Sequence, residues 1–150
     1  MPAVALTDTN NMFAALEFSV SLSGAGIQPI VGCQVDLCYE EEGAAPPGRT
    51  YVAPIAGVVL LAQSERGYEN LMKLNSCLYV DKGGQLPQVS LAELEALSDG
   101  LICLTGGPDG PVGRLLQAGQ RPAAEALMAR LARAFPDRLY VELQRHPGED

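Results

Sequence analysis

Near its start the chain reads Val4-Ala5-Leu6-Thr7-Asp8-Thr9-Asn10-Asn11-Met12. The apolar run 4–6 predicts a short buried strand, and the polar run 7–11 predicts the loop in which that strand ends. From Met12 the apolar residues recur at helical spacing among small residues, which predicts a helix over 12–23. A strand, a polar loop and a helix in this order form the first half of a βαβ unit.

The same alternation continues along the rest of the chain. Apolar, β-branched runs predict further strands over 27–37, 55–62, 101–104 and 139–143. Helical spacing predicts helices over 68–79, 112–118 and 123–135, and Ser90 with Glu93 predicts a capping box at the start of another short helix. The segments 40–50 and 81–88 are predicted to be surface loops. This pattern predicts an α/β fold with mostly parallel strands, in an open or barrel-like sheet.

Both ends of the chain lie close to predicted strands. The first strand begins almost at Met1, and the chain stops at Asp150 soon after the last strand, with no predicted helix to cover it. Parallel strands are normally buried on both faces. The pattern therefore predicts a piece of a larger fold, cut at both ends, and exposed sheet edges that favour self-association.

Composition narrows the classes of function. The chain has 150 residues, 47% of them hydrophobic, a net charge of −8 and no Trp. An acidic chain is poorly suited to gripping phosphates, and one with 5% aromatic residues is poorly suited to stacking bases. No apolar run is long enough to span a membrane, and no secretory leader is visible. Cys33 and Cys103 lie in apolar runs, which favours buried free thiols and a reducing cytoplasm.

Asp8 is the first candidate for a chemical role, because active sites in α/β folds gather at the carboxyl ends of strands. It could bind metal or orient a base there. The alternative is structural, with Asp8 or Asn10 capping the helix that follows. Residues 106–111, Gly-Gly-Pro-Asp-Gly-Pro, could similarly cradle an anion, although a plain strand-to-helix turn is favoured because the Lys-Ser/Thr of a phosphate loop is missing.

The segment Glu142-Leu143-Gln144-Arg145-His146 contains the chain's single histidine. One histidine beside one glutamate is a weak metal or catalytic signal, since such sites need several converging groups. His146 is therefore expected to face solvent. In the segment 66–74 the leucines predict core packing and the charges a wet face. Physical reasoning from the residues alone thus reaches a soluble cytoplasmic α/β domain without a convincing active site.

Five segments, in chain order, resemble motifs of one family: 6–12, 26–34, 60–74, 101–107 and 135–146. The first reads L-T-D-T-N-N-M where that family typically has L-T-D-H-G-N-M, and the last reads F-P-D-R-L-Y-V-E-L-Q-R-H against F-P-x-R-x-Y-x-E-L-Q-R-H. The family is the N-terminal PHP domain of the α subunit of bacterial replicative DNA polymerases (polymerase III). The resemblance implies a distorted β/α barrel, whose opening H-x-H and closing Asp-x-His motifs would lie outside residues 1–150.

The sequence differs from the family motifs at positions where the family has metal ligands. Metal-binding PHP domains hold metal ions with His, Glu, Cys and Asp, and some hydrolyse phosphoesters. At four positions that the resemblance assigns to ligands, this chain has Thr9 for His, Gln34 for Glu, Gly57 for His and Gly107 for Cys. These residues offer no charge, or no side chain, to a dication. The resemblance therefore implies a degenerate site with no metal or cofactor bound. Asp8, Asp109, Glu142 and His146 remain as motif remnants, and no catalytic residue is assigned.

The resemblance implies a parent enzyme that is a DNA-directed DNA polymerase, with Mg²⁺ held by aspartates of a palm domain elsewhere. The present region would support that fold and dock the proofreading exonuclease subunit, while other domains meet the sliding clamp and DNA. An alternative is a metal-dependent PHP phosphoesterase or intrinsic 3′–5′ proofreading exonuclease, whose site is rebuilt from the four remnants and the missing terminal motifs. A stand-alone structural domain, unrelated to replication, would require the motif matches to be chance.

Overall fold

The computed structural model describes residues 1–39, 55–80 and 86–144. The predicted loop 40–50 lies outside the described residues, as do residues 81–85 of the second predicted loop. Residues 86–88 of that loop are described, and they belong to neither a helix nor a strand, as predicted.

The elements alternate largely as the sequence predicts. The described residues form six strands: β1 Ala3–Leu6, β2 Gln28–Cys38, β3 Ile55–Ala62, β4 Val89–Ser90, β5 Leu101–Leu104 and β6 Leu139–Tyr140. The same residues form five α-helices: α1 Ala15–Gly24, α2 Glu65–Cys77, α3 Leu91–Ala96, α4 Pro111–Gln117 and α5 Arg121–Ala134. A 3₁₀ turn, Gly107–Asp109, precedes α4.

The strands of the sheet run mostly parallel to one another. The order is β1-β2-β3-β5-β6, and β4 pairs with β2. The strand β3 is antiparallel to both of its neighbours, whereas the three other pairings are parallel. Five of the six strands therefore run in one direction, with β3 opposed to them. The α/β prediction with mostly parallel strands is confirmed, and over the described residues the sheet is open rather than a closed barrel.

Some predicted boundaries differ from those observed. The bounds of β3 and β5 are those predicted, and the capping box of Ser90 and Glu93 is present. The predicted first helix starts too early, because residues 12–14 form a turn ahead of α1. The predicted strand 139–143 is too long, since only Leu139 and Tyr140 pair with β5. The two-residue strand β4 was missed because so short a run has no periodicity to detect.

The two faces of the sheet differ in a way that creates the candidate site. On one face, alternate residues of β2 and β3 are buried in the core: Cys33, Val35, Leu37, Ala56, Val58 and Leu60. The helices α2 and α5 add Leu71, Leu74, Leu127 and Leu131 to this core. Because strand side chains alternate between faces, Gln34, Asp36 and Gly57 fall on the opposite face.

Two arginines form hydrogen bonds between elements that are distant in sequence. The guanidinium of Arg130 in α5 forms a two-pronged ion pair with Glu95 in α3, at 2.9 and 3.1 Å. This hydrogen bond holds the pKa of the Glu95 carboxyl below its usual range. Arg138 donates from Nη1 to the carbonyl oxygens of Ser98 and Leu101, at 2.8 and 2.6 Å. It thereby joins the start of β6 to the start of β5.

In the described parts of the chain, no helix has both the length and the apolar character that crossing a bilayer requires.

Candidate functional site

The four positions that the resemblance assigns to metal ligands lie near one another. Thr9 forms an isolated parallel bridge with Gln34, which continues the pairing of β1 with β2. On the adjoining strand, Gly57 lies opposite Asp36 and diagonally across from Gln34. The carbonyl of Gly57 approaches the turn at Gly106, directly before Gly107. The fold thus gathers these positions on the face of the sheet that points away from the core.

The side chain of Gln34 occupies the space beside Gly57. A Cβ atom built at Gly57 would lie 2.8 Å from Nε2 of Gln34 and 3.0 Å from its Cδ. A side chain of any size at position 57 therefore requires the amide of Gln34 to move. Positions 34 and 57, both of which the resemblance assigns to ligands, are sterically coupled, because the amide of Gln34 occupies the space beside Gly57.

A second glutamine occupies the corresponding space beside Gly107. A Cβ atom at this position would lie 2.8 Å from Nε2 of Gln144. The backbone φ angles of Gly106 and Gly107 are +78° and +63°, so two consecutive residues adopt the left-handed region that favours glycine. Position 107 is therefore suited to glycine by its backbone as well as by its neighbour.

Gln34, Gly57 and Gln144 line an open, mostly polar cavity of about 440 Å³, whose lining does not include Thr9 or Gly107. Its lining includes two glutamines, two aspartates, one arginine and one of the glycines: Gln34, Gln144, Asp36, Asp109, Arg114 and Gly57. Arg114 reaches it from α4 and is anchored by donating to the carbonyl oxygens of Asp109, at 2.9 Å, and Ile55, at 3.3 Å. The cavity therefore combines uncharged amides with groups of both signs of charge.

Sequence reasoning missed three members of this lining as site residues. Asp36 carried a signal, since it lies two residues after Gln34 and so on the same face of β2. Gln144 stood inside a quoted motif, although it was not assigned a role. Arg114 carried no local signal, because its guanidinium reaches the cavity only through the tertiary packing of α4.

The helix-capping alternative for the loop after β1 is wrong. The residue that caps α1 is Ala14, and no side chain bonds to the end of that helix. Asn10 instead bonds to β2, since its Nδ2 donates to Asp36 Oδ2 at 2.8 Å and its Oδ1 accepts from the Asp36 amide at 2.9 Å. The backbone carbonyl of Asp8 accepts a hydrogen bond from the backbone N–H of Gln34, at 3.0 Å. Both residues hold the loop against β2 rather than starting a helix.

The other motif remnants are less closely grouped. Asp109 lines the cavity from the 3₁₀ turn. The carboxylate of Glu142 accepts a short hydrogen bond from Nε2 of Gln144. The backbone N–H of Glu142 donates to Thr105 Oγ1 at 3.1 Å. His146 lies outside the described residues, so its expected exposure to solvent stays a prediction.

The family resemblance implies a metal cluster at these positions, and the residues present fit one poorly. Within residues 1–39, 55–80 and 86–144, no three His, Cys, Asp or Glu side chains are grouped so as to hold a metal ion. A side chain at position 57 or 107 would have to displace the amide of Gln34 or Gln144, respectively. A neutral amide also supplies no charge to offset that of a dication.

The buried thiols do not supply the missing ligands either. Cys33 and Cys103 are buried and free, as predicted. Burial raises the pKa of the Cys103 thiol to about 12, and burial likewise raises the pKa of Cys33. Sγ of Cys33 donates to the carbonyls of Asp8 and Asn11, at 3.3 and 3.4 Å. Metal ligation and nucleophilic attack need the thiolate, so both thiols act as packing groups.

The resemblance implies a PHP domain, and the family model for the PHP domain matches residues 1–146. The chain belongs to the PHP domain family. It is similar to the DNA polymerase III subunit alpha of Caulobacter vibrioides, with 47% identity over 148 residues. It is also similar to the subunits of that name from Pseudomonas aeruginosa and Borreliella burgdorferi, at 35% and 32% identity.

These relatives are much longer than the present chain. The matches cover 97% of this chain with the Caulobacter and Pseudomonas subunits and 100% with the Borreliella subunit. They cover only 12%, 12% and 13% of the respective relatives. The chain therefore spans about an eighth of the length of the curated relatives it matches.

Proposed function

We propose that this chain is the PHP-domain portion of a replicative DNA polymerase α subunit and that it serves there as a metal-free structural and docking module. The relatives named DNA polymerase III subunit alpha support the first half of the proposal. One observation carries the second half, which is that glutamine amides fill the volumes beside Gly57 and Gly107. An amide that occupies a ligand's place stabilises a packed polar surface and leaves a dication without a counter-charge.

In this proposal the present region takes no part in nucleotide transfer. That reaction belongs to a palm domain elsewhere in the subunit, where Mg²⁺ ions held by aspartates stabilise the in-line displacement. Two residues of the cavity instead bind neighbours outside its lining, since Asp36 accepts from Asn10 and Gln144 donates to Glu142. No residue of the described chain is assigned a catalytic role.

The partners follow from the same proposal. The remainder of the α subunit would pack against this region, and the proofreading exonuclease subunit would dock on it. Contacts with the sliding clamp and DNA would come through other domains, which agrees with the chain's net charge of −8. A cytoplasmic location is part of the proposal, and the buried thiols of Cys33 and Cys103 agree with a reducing compartment.

Metal content tests the proposed loss of the metal site. After purification without chelator, we expect less than ~0.1 equivalent of zinc or manganese per chain, and no change of melting temperature when EDTA is added. A ligand that binds only the folded state at 100 times its Kd would stabilise the chain by ~2.7 kcal/mol, so a bound structural metal would be visible as a lower melting temperature in EDTA.

The same samples discriminate the alternative, a metal-dependent phosphoesterase or intrinsic proofreading exonuclease. Asp36 and Asp109 favour that alternative, because both carboxylates line the cavity. Stoichiometric metal, together with manganese-dependent release of nucleotides from a DNA 3′ end, would establish it and reject the metal-free proposal. Asp36→Asn and Asp109→Asn variants should then lose both the metal and the activity.

Docking is tested with the proofreading exonuclease subunit of Caulobacter vibrioides, the species of the 47% identical relative. We expect this chain, labelled with a fluorophore, to show a saturable rise in anisotropy with that subunit and none with serum albumin. The matching region of the Caulobacter subunit serves as the positive control. Binding by that region, with none by this chain up to its solubility limit, would reject the docking role.

A further inference from the structure

Asn10 forms hydrogen bonds, through both its backbone and its side chain, with residues that are distant in sequence. Its backbone N–H donates to the carbonyl of Gln34 at 2.8 Å, and its backbone carbonyl accepts from Oη of Tyr79 at 2.8 Å. Its Oδ1 accepts from the backbone N–H of Asp36 at 2.9 Å, and its Nδ2 donates to Oδ2 of that residue at 2.8 Å. The loop after β1, the strand β2 and the residues after α2 therefore meet at this one residue.

The bond to the backbone N–H of Asp36 fills a gap in the pairing of β2. On the side of β2 away from β3, β1 and the bridge of Thr9 extend the pairing as far as Gln34, and β4 resumes it at Leu37. Asp36 lies between these two stretches. A backbone N–H in a half-buried strand needs an acceptor, and Oδ1 of Asn10 provides one.

The backbone of Asn10 explains why a side chain takes this role. The Gln34 N–H donates to the Asp8 carbonyl and the Asn10 N–H donates to the Gln34 carbonyl, which is the alternation of a parallel ladder. The next bond of that ladder would join the Asp36 N–H to the backbone carbonyl of Asn10. The φ angle of Asn10 is +56°, in the left-handed region, so its carbonyl turns out of the ladder and accepts from Tyr79. Oδ1 takes the place of that carbonyl.

We propose that Asn10 is a positioning residue of the cavity wall, whose side chain replaces one bond of the β1–β2 ladder and thereby fixes Asp36. Asp36 lines the cavity, and Oδ2 of its carboxylate is held by Nδ2 of Asn10. Among residues other than glycine, asparagine is one of those that adopt the left-handed region most readily. Its amide also presents an acceptor and a donor together. Asn10 therefore suits both the backbone and the side-chain part of this role.

Tyr79 makes the position of Asp36 depend on the end of α2. The Tyr79 hydroxyl donates to the carbonyl that the left-handed backbone turns out of the ladder, so it stabilises the conformation in which Oδ1 of Asn10 meets Asp36. Tyr79 is itself 56% exposed. A contact made at this residue therefore acts on the cavity through Asn10. The proposal concerns how the chain holds Asp36 and does not depend on the proposed role in a polymerase.

Hydrogen exchange of the Asp36 backbone amide, followed by NMR on the 150-residue chain, tests the proposal. Asn10→Gly keeps a residue suited to the left-handed backbone and removes only the side-chain bonds. The Asp36 amide should then exchange at least ~10-fold faster, measured relative to the amides of β3. A general loss of stability would speed both sets of amides together, so this ratio isolates the local effect.

Tyr79→Phe removes a single hydroxyl, and it should raise the same exchange ratio by at least ~3-fold. The matched control is Tyr68→Phe, which makes the same change near the opposite end of α2, at a tyrosine that is 39% exposed. It should leave the ratio within ~2-fold of the parent value.

Exchanging the two side chains tests their pairing. Asn10→Asp places two carboxylates at one contact, and near neutral pH it should raise the equilibrium constant for unfolding in urea by at least ~10-fold. Asn10→Asp combined with Asp36→Asn restores one amide and one carboxylate with their roles reversed. The double variant should return to within ~3-fold of the parent, although it contains both substitutions. Circular dichroism establishes that each variant is folded.

An Asp36 amide that exchanges in Asn10→Gly no faster, relative to β3, than in the parent would overturn the proposal. So would a double variant that is no more stable than Asn10→Asp alone, because the two side chains would then not act as a pair. An effect of Tyr79→Phe no larger than that of Tyr68→Phe would overturn the dependence of Asp36 on the end of α2.

Discussion

Gly67→Ala is expected to lower the free energy of unfolding by about 3 kcal/mol or more, because there is no room for a single methyl group at this position. A Cβ atom at Gly67 would overlap the backbone carbonyl of Gly100, and a backbone group cannot swing aside as the end of a side chain can. The Asp99–Gly100 turn is also held in place, since its carbonyls accept from Asn70 Nδ2 and the Gln63 amide, each at 2.9 Å.

Urea unfolding followed by circular dichroism measures this loss. The matched control is Gly24→Ala, the same substitution at the last residue of α1, where nothing lies within 4 Å of the added Cβ. That variant should be stabilised by up to ~1 kcal/mol, since alanine loses less backbone entropy than glycine in a helix. Equal stability of the two variants would mean that α2 does not pack against the Asp99–Gly100 turn as described.

Arg138→Ala is expected to lower the free energy of unfolding by about 2–3 kcal/mol. The Arg138 guanidinium donates to two carbonyls, of Ser98 and Leu101, and lies 5.9 Å from the centre of the Phe135 ring. Hydrogen bonds from a charged donor are stronger than neutral ones, and alanine would leave both carbonyls without this partner. The loss should also loosen residues 139–144, and with them the amide of Gln144 beside Gly107.

Two control variants test whether the loss of stability in Arg138→Ala comes from the two hydrogen bonds to carbonyls. Arg138→Lys keeps the charge but carries it on a shorter and more flexible side chain, so its free energy of unfolding should lie between those of the parent and of Arg138→Ala. Arg121→Ala removes an arginine that is 82% exposed and paired with Glu125, and it should cost no more than ~0.5 kcal/mol. A loss in Arg121→Ala as large as that in Arg138→Ala would show that general charge, and not the pair of carbonyls, is responsible.

Local patterns in the sequence account for most of the fold. Apolar runs predict the bounds of β3 and β5, and the spacing of Ser90 and Glu93 predicts the capping box. The helix α1 shows where this reasoning weakens, because its apolar residues predict the helix while Leu16 and Val20 lie exposed. Periodicity predicts that a helix forms, whereas burial depends on what the rest of the fold places beside it.

The candidate site was less accessible to sequence reasoning. The resemblance to one family named four positions, and the structure places them close together on one face. The resemblance did not indicate that the side chains of Gln34 and Gln144 lie beside Gly57 and Gly107, because both contacts join residues that are distant in sequence. The bonds between Asn10 and Asp36 were missed for a related reason, since a polar loop residue is equally suited to capping a helix.

The paired glycines of the turn after β5 also bear on how this site could change over evolution. A cysteine restored at position 107 would meet the amide of Gln144 and would sit in a left-handed backbone that costs an ordinary residue ~1–2 kcal/mol. A histidine restored at position 57 would likewise meet Gln34. A side chain at either glycine therefore requires the neighbouring glutamine side chain to move. Under the proposed loss of the metal site, a single substitution at either glycine would not by itself complete a ligand set, because each also needs a neighbouring glutamine to rearrange.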